Sequence, residues 1–288
     1  MTSPSSSAQG PPLDSVRRVT SPSPLTRTGV AVSGQVLAAD IGDLVEGVFA
    51  TVASLHDAVQ PLLAGGPLPA GRPAVADLGV LAGPVRDVLA DPQGLVVGAG
   101  YVAAPGVLSD APYWLQWWTV DGPGAQPDAL DVETREDAEG FRDYTALPWY
   151  AVPAATGRRH VTGPYVDYLC TDEYSLTFTL PVASSRGFAG VVGADVYVRH
   201  LERLLVPRMR EVARVLGARI ALVNAQGRVV CGSSTDLVTG ALVRDVPLGE
   251  LWAHSTARGR PGVPAPAVPG VRLHPCAGLP LGVLVRTD

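Results

Sequence analysis

The sequence contains no lysine, and all 22 of its basic residues are arginine. A Schiff-base mechanism and the phosphate-binding lysine of P-loop NTPases are therefore excluded. Charged residues make up only 17% of the 288 positions, and the net charge is −5. Because contacts to phosphates need clustered positive side chains, this balance argues against a nucleic-acid-binding protein. Hydrophobic residues, at 47%, suffice for a sizeable core.

Cysteine is scarce as well. Cys170, Cys231 and Cys276 lie far apart and form no C-x-x-C pair. An odd number of cysteines in a chain of this length favours reduced thiols over a disulfide framework and is typical of the cytoplasm. No run of about eighteen apolar residues occurs, and the N-terminus lacks the apolar centre of a signal peptide. We therefore expect a soluble, cytoplasmic protein without membrane contacts.

Few residues are candidates for catalysis or metal binding. None of the five histidines lies in a recognisable catalytic motif, and no spacing matches a zinc, calcium or iron site. The best enzyme constellation combines Cys170, Asp172, Glu173 and His160, but a cysteine at a strand end is more often a small buried hydrophobic residue. Gly98-x-Gly100 matches only half of a dinucleotide fingerprint. We expect no enzyme, no metal and no cofactor.

Composition divides the chain into three parts. Residues 1–32 are rich in Ser, Pro and Thr, which predicts a disordered tail. Residues 33–216 are expected to form the main domain, which starts with a helix from Gly34 to about Leu63. Its apolar residues are spaced either for packing on the helix's own sheet or for a homodimer. Residues 217–288 predict a smaller β-rich lobe.

Two further helices are predicted within the main domain. Residues 75–91 have apolar residues at helical spacing, with a break at Gly83-Pro84. The run VRHLERLLVPRMREVARVLG predicts a helix kinked at Pro207. Its apolar face is predicted to contain Leu201, Leu204, Leu205, Met209, Val212 and Leu216.

Four large rings cluster in the predicted strand of residues 111–120. On a strand, Trp114 and Trp118 share one face while Trp117 points to the other. Only part of the cluster, which also includes Tyr113, can therefore point into a pocket. We interpret these rings as core and interface rim rather than as an aromatic cage.

Residues 141–195 are the stretch around which the chain is organised. The pattern before Gly157 predicts a short, irregular helix, broken at Pro153. The segments HVTGPYVDYLC, EYSLTFTLPVA and FAGVVGADVYV are rich in Val, Tyr, Thr and Phe, with Ser184–Gly187 as a hairpin turn between the last two. The fold class is therefore α+β, with a helix followed by three antiparallel strands.

The motifs DYTALPWY, GPYVDY and GVVGADVYVRHLERLL follow one another here. In order and spacing, over about residues 93 to 216, they resemble the Cache domain, the PAS-like sensor found in bacterial receptors. The resemblance implies a PAS-like antiparallel sheet with a long N-terminal helix, and the C-terminal lobe resembles the abbreviated second half of a double Cache, or PDC-type, unit. It also implies a pocket for a small organic ligand, lined by Trp149, Tyr150, Tyr165 and Asp195.

Asp195 lies in the apolar strand VVGADVYV, where alternation puts it on one face with Gly193 and Tyr197. A carboxylate on a buried face costs several kcal/mol unless it is paired or hydrogen-bonded. It either caps a turn or meets an arginine such as Arg142, or it receives a ligand cation. The resemblance favours the cation, because the matching aspartate binds an ammonium group in many amino-acid-binding members.

Leu147 stands where amino-acid-binding members of this family have an arginine before P-W-Y. The resemblance therefore implies that the usual clamp for an α-carboxylate is missing, although Arg142 could serve a more distant carboxylate. The expected ligand is an amine, a polyamine or an ω-amino acid. Because the sequence shows no output module, we expect a sensor that signals through another chain, such as a separately encoded transcription regulator. The alternatives are an enzyme acting on such a metabolite and a ligand-free scaffold.

Overall fold

The computed structural model describes residues 33–64, 71–90, 94–122, 125–166, 173–256, 268–276 and 278–287. Two predictions fall wholly or partly outside these residues. They are the tail of residues 1–32 and the enzyme constellation, of which Cys170 and Asp172 are not described.

The described residues form five α-helices, two 3-10 segments and ten strands. In chain order these are α1 (Gly34–Leu63), a 3-10 segment (Val75–Leu81), α2 (Ala82–Leu89), β1 (Val96–Ala103), β2 (Leu115–Thr119), β3 (Asp128–Ala129), a 3-10 segment (Tyr144–Ala146), α3 (Pro148–Thr156), β4 (His160–Val166), β5 (Tyr174–Ser184), β6 (Gly187–Tyr197), α4 (Val198–Leu216), β7 (Ala218–Asn224), β8 (Val229–Gly232), α5 (Leu248–Thr256), β9 (Val271–Pro275) and β10 (Leu281–Thr287).

Helix α1 has the predicted bounds. The Ser33 hydroxyl caps it by accepting a hydrogen bond from the Val36 amide at 3.1 Å. Its apolar side chains, such as Ile41, Val52 and Leu55, are buried inside this chain, where the helix lies along β5 and β6 and reaches β10. The structure therefore uses the apolar stripe for packing on the protein's own sheets. A homodimer through this helix stays a prediction.

The strands form two antiparallel sheets, as the predicted α+β fold requires. The first sheet has the order β3-β2-β1-β6-β5-β4, and the second has the order β8-β7-β10-β9. The predicted strands β4, β5 and β6 are neighbours, and the hairpin closes at the Ser184↔Gly187 pair. The second sheet comes entirely from the C-terminal part of the chain.

Residues that lie directly opposite each other in an antiparallel sheet share a face, which divides the first sheet into two chemically distinct sides. We call the side covered by α1 the α1 face, and one of its cross-strand rows is Val161, Phe178, Ala194, Ala99 and Trp118. We call the other side the glycine face. It has one row of Thr162, Thr177, Asp195, Gly98 and Thr119, and a neighbouring row of His160, Thr179, Gly193, Gly100 and Trp117.

Two of the predicted helices differ in detail from the structure. The segment from Val75 begins as a 3-10 helix and becomes α-helical at Ala82, so Pro84 lies in the first turn of α2, where its missing N–H removes no helical bond. Helix α3 contains Pro153 instead of breaking there, since a proline removes only one donor. It ends at Gly157, which has a left-handed φ of 63°.

The predicted apolar face of α4 is too wide. Leu201, Leu205 and Met209 are buried, but Leu204 is 46% exposed and Leu216 is 37% exposed. Leu204 lies beside the buried stripe, and Leu216 is the last residue of the helix, so neither is covered. The buried part of this face is therefore narrower than its apolar part, because helical spacing alone does not show how much of a helix its neighbours cover.

Candidate functional site

Asp195 lies on β6 in the glycine face and is only 7% exposed. Its Oδ1 accepts a hydrogen bond from the Thr177 hydroxyl at 2.6 Å, and its Oδ2 accepts one from the Trp117 indole N–H at 3.1 Å. Thr177 is directly opposite on β5, whereas Trp117 belongs to β2 and reaches Asp195 across β1. Both of these donors are neutral, and they fix the orientation of the carboxyl group.

Three glycines make room for the Trp117 indole. A Cβ atom placed at Gly98 would lie 2.9 Å from its Nε1 and 3.1 Å from Asp195 Oδ2. At Gly100 a Cβ would lie 2.9 Å from the Trp117 Cε3, and at Gly193 it would lie 3.1 Å from Cη2. Side chains at these positions would displace the ring. The Gly98-x-Gly100 pair therefore serves close packing of an indole.

Tyr165 joins the same hydrogen-bond chain from β4. Its hydroxyl lies 2.6 Å from Thr177 Oγ1. Because the hydroxyl hydrogen of Thr177 is donated to Asp195, Tyr165 is the donor to Thr177. A register shift in β4 between Thr162 and Tyr165 brings the tyrosine opposite Ser175. Two of the residues predicted from sequence thus belong to one polar unit, in the order Tyr165, Thr177, Asp195.

Trp149 and Tyr150 lie in a cluster of aromatic rings over another part of the glycine face. Tyr150 and Tyr144 are buried, with ring centroids 5.4 Å apart, and Trp149 stacks on Tyr144 at 6.4 Å. This cluster also includes Val191, four residues from Asp195 along β6, or about 13 Å in an extended strand. It includes Trp117 as well, whose indole N–H donates to Asp195.

Burial raises the pKa of Tyr144 to about 12 and also raises that of Tyr150. These hydroxyls are therefore neutral near pH 7. The Tyr144 hydroxyl donates to the Ala103 carbonyl at 2.7 Å, which fixes this ring against β1.

Leu147 and Arg142 have different environments. Leu147 precedes α3, is half-buried and packs against the aromatic cluster. Arg142 is exposed, and its guanidinium donates to the carbonyls of Phe141 at 3.0 Å and Glu139 at 3.4 Å. The structure therefore places Arg142 on the surface of its own loop and does not bring it to Asp195. The role of these residues in ligand binding stays a prediction.

Sequence reasoning did not select Trp117 or Thr177 as site residues. Alternation placed Trp117 on the opposite face from Trp114 and Trp118, but nothing in the sequence shows that β1 pairs with both β2 and β6. Thr177 and Thr179 recur at a spacing of two in an otherwise apolar strand, and this spacing was a usable signal for a polar position on one face.

The described residues offer little nucleophilic or metal-binding chemistry. Cys231 and Cys276 are buried, and burial raises the pKa of each thiol to about 12, so the reactive thiolate is rare near pH 7. Glu173, from the enzyme constellation, forms an ion pair with Arg199. Among the described residues, no group of three His, Cys, Asp or Glu side chains could hold a metal ion. None of the described helices is both long enough and apolar enough to span a membrane.

One part of the chain matches a known family in sequence. Residues 126–203 match the sequence model of the first PDC sensor domain of methyl-accepting chemotaxis protein-like receptors. No curated protein matches the chain in sequence.

Solved structures share the fold at low sequence identity. A structure named methyl-accepting chemotaxis protein X has 18% identity and a TM-score of 0.55, with 88% of this chain and 93% of that chain covered. The extracellular domain of the histidine kinase mmHK1S-Z3 has 14% identity and a TM-score of 0.59, with 88% of this chain and 90% of that chain covered. The ligand-binding domain of the Pseudomonas fluorescens chemoreceptor CtaA was solved with L-isoleucine. It has 17% identity and a TM-score of 0.52, with 88% of this chain and 89% of that chain covered. Residues 126–203 are therefore similar in sequence to a PDC sensor domain, and the described chain has the fold of the Cache-type ligand-binding domains of chemoreceptors and histidine kinases.

Proposed function

We propose that this protein is a sensor that binds a small amine-bearing metabolite on the glycine face and signals through a partner protein. The ligand is an amine, a polyamine or an ω-amino acid, and its ammonium group is held by Asp195. The observation that carries this proposal is the buried Asp195 carboxyl group, oriented by Trp117 and Thr177. Two donors that fix a carboxylate in one orientation make a prepared site for a cation.

The energetics of such a site are favourable. An ammonium group forms charge-assisted hydrogen bonds with a carboxylate, which are about twice as strong as neutral ones. Together with apolar contacts, these terms can reach the roughly 8 kcal/mol of micromolar affinity without metal or cofactor.

The environment of Leu147 supports a preference for amines over α-amino acids. Leucine offers an apolar wall where an arginine would offer two parallel donors. Arg142 bonds to the carbonyls of its own loop and supplies no replacement in this structure. An α-carboxylate that loses its bound water beside Leu147 would gain no hydrogen bond from this side chain.

The signalling role rests on the kind of protein to which this chain is similar. The matched family is the sensor domain of chemotaxis receptors, and CtaA was solved with an amino acid bound. We expect a partner such as a separately encoded transcription regulator, and we expect bound ligand to be recovered chemically unchanged. The cytoplasmic location stays a prediction, since one of the similar domains is extracellular. Cell fractionation would test it.

Substitution of Asp195 by asparagine tests the proposed function. A thermal-shift screen of amines would first identify a stabilising ligand, because a ligand that binds only the folded state raises the melting temperature. Asp195→Asn should then weaken that ligand by roughly thirtyfold or more, the cost of removing the charged partner of an ammonium group. The unliganded variant should stay within about 1 kcal/mol of wild type, because the amide can still accept from Trp117 and can donate to Thr177.

Asp128→Asn is the matched control, because Asp128 is exposed on β3. It should leave ligand binding unchanged. A loss of several kcal/mol in the unliganded Asp195 variant, with ligand affinity unchanged, would show that the aspartate is purely structural.

A further inference from the structure

Two buried hydroxyl groups near Asp195 have no hydrogen-bond partner. Among the described residues, Thr162 Oγ1 and Thr179 Oγ1 are buried side-chain oxygen atoms without a hydrogen-bond partner. Both threonines lie on the glycine face, and Thr179 is 0% exposed. Buried polar groups without partners are rare in native proteins, and each calls for a physical explanation.

The positions of the two hydroxyls relate them to the proposed ammonium site. Thr162 lies directly opposite Thr177, which donates to Asp195. Thr179 lies opposite Gly193 and is therefore a diagonal neighbour of Asp195, at about 7 to 8 Å between Cα atoms. The Thr179 methyl group faces Gly193, since a Cβ there would lie 3.0 Å from it. The hydroxyl is the other branch of this side chain.

We infer that the hydroxyls of Thr179 and Thr162 form a second polar subsite, which takes an uncharged hydrogen-bonding group of the ligand, such as a hydroxyl or a carbonyl oxygen. This inference rests on the proposed function, because the ligand's ammonium group defines the first subsite. A ligand of three or four carbons between its polar atoms spans the roughly 5 to 7 Å between groups held above diagonal neighbours on two strands. The implied ligand class is amino alcohols and related amines with a neutral oxygen.

The charges on this face favour a neutral group over a carboxylate. His160 is the one basic residue in the two described rows, and burial lowers its pKa, so it is mainly neutral near pH 7. A ligand carboxylate would therefore meet hydroxyl dipoles but no positive side chain from these rows. A second ammonium group would also lose its hydration on entry, and it would gain hydrogen bonds to only two hydroxyls. A neutral oxygen loses the least hydration on entry, and each threonine hydroxyl can either donate to it or accept from it.

Calorimetric titration of the full chain with four compounds tests this inference. Pentylamine, 4-aminobutanol, 1,4-diaminobutane and 4-aminobutanoate have similar lengths and differ in the second end group. Wild type should bind 4-aminobutanol most tightly. Thr179→Val and Thr162→Val should each weaken the binding of 4-aminobutanol about three- to tenfold, which corresponds to one neutral hydrogen bond. Both variants should leave the affinity for pentylamine within twofold of wild type.

The unliganded variants provide a second readout. Valine has the shape of threonine without the hydroxyl, so Thr179→Val should keep or raise the melting temperature of the unliganded protein if the hydroxyl has no partner there. The control is Thr239→Val, because the Thr239 hydroxyl lies 3.0 Å from the Val230 carbonyl oxygen and 3.1 Å from Glu202 Oε1 and donates its one hydrogen to one of these acceptors. This control should lower the melting temperature and leave all four affinities unchanged.

Three results would overturn the inference. In the first, the affinities for pentylamine and 4-aminobutanol fall equally in Thr179→Val and Thr162→Val. In the second, the affinity for neither compound falls in these variants. In the third, Thr179→Val lowers the melting temperature as much as Thr239→Val does. Wild type that binds none of the four compounds would refute the proposed function as well, whereas tight binding of pentylamine with no gain for 4-aminobutanol would refute the second subsite alone.

Discussion

The two faces of the first sheet come from the same strands but have opposite chemistry. On the α1 face, Phe178 and Ala194 are at most 1% exposed and pack against apolar side chains of α1. On the glycine face, the neighbours of these residues in sequence are Thr177, Thr179 and Asp195, which are also buried but polar. The α1 face is therefore packed with apolar side chains, whereas the glycine face holds buried polar groups, which the proposed function assigns to ligand binding.

The two faces of β1 also differ in the size of their side chains. In β1, Gly98 and Gly100 point to the glycine face, and Ala99 and Tyr101 point to the α1 face. Tyr101 is fully buried there, and its hydroxyl donates to the Ala189 carbonyl at 2.6 Å. Large side chains thus fill the α1 face, whereas missing side chains on the glycine face make room for the indole that orients Asp195.

The largest expected effect comes from breaking the α1 face. Phe178→Ala removes a ring that meets Phe49 edge-on at 5.5 Å and should lower the free energy of unfolding by about 3 to 5 kcal/mol. The adjacent Thr177→Val changes the glycine face and should cost only about 1 to 3 kcal/mol, because it leaves one Asp195 oxygen without this donor. Urea unfolding measures both values.

Ligand titration should reverse that order. Phe178→Ala, in conditions where it stays folded, should bind the amine nearly as wild type does, while Thr177→Val should bind it more weakly. If both variants lose stability and affinity in the same proportion, the two faces do not divide stability and binding between them.

A smaller effect is expected from Leu147→Arg, which adds a positive donor pair at the edge of the glycine face. The variant should strengthen the binding of α-amino acids relative to matching amines by about ten- to a hundredfold. The reason is that the α-carboxylate of the ligand gains the donors that it lacks beside leucine. Titration of paired ligands, each amine beside its α-carboxylated analogue, measures this ratio. Tighter binding of α-amino acids by wild type would contradict the amine preference, and Leu147→Met is the control without charge.

The smallest effect concerns an ion pair that ties α1 to the start of β4. Arg159 Nη1 lies 2.7 Å from Glu46 Oε2, and this arginine lowers the pKa of Glu46. A lowered carboxyl pKa stabilises the fold above the ordinary value of 4.5, and this stabilisation is lost as the pH falls through the lowered value. Because the pair is half-exposed, Glu46→Gln should cost at most about 1 kcal/mol at pH 7.

Urea unfolding at several pH values checks this expectation. The difference between wild type and Glu46→Gln should be constant at neutral pH and shrink below pH 4.5. A difference that persists unchanged in acid would show that the glutamine disturbs packing, for example around Phe49, over which Arg159 lies at 4.5 Å. Ligand affinity should not change, since this pair lies on the α1 side.

Local patterns in the sequence determined most of the backbone. Apolar spacing located α1 at Gly34–Leu63, and the turn residues at Ser184–Gly187 located the β5–β6 hairpin. Alternation also assigned Asp195 to the face of Gly193. These features depend on neighbours a few residues apart, so a period of two or of 3.6 residues suffices to predict them.

Only the tertiary structure decided which distant residues meet. Trp117 reaches Asp195 because β1 lies between β2 and β6 and carries glycines at the crossing, and Arg142 turns to carbonyls of its own loop. Helix α5, which covers part of the second sheet, was not predicted because its nine residues give a weak periodic signal. The physical reason is that hydrogen bonds and packing between separate strands depend on sheet order and register, which local spacing does not encode.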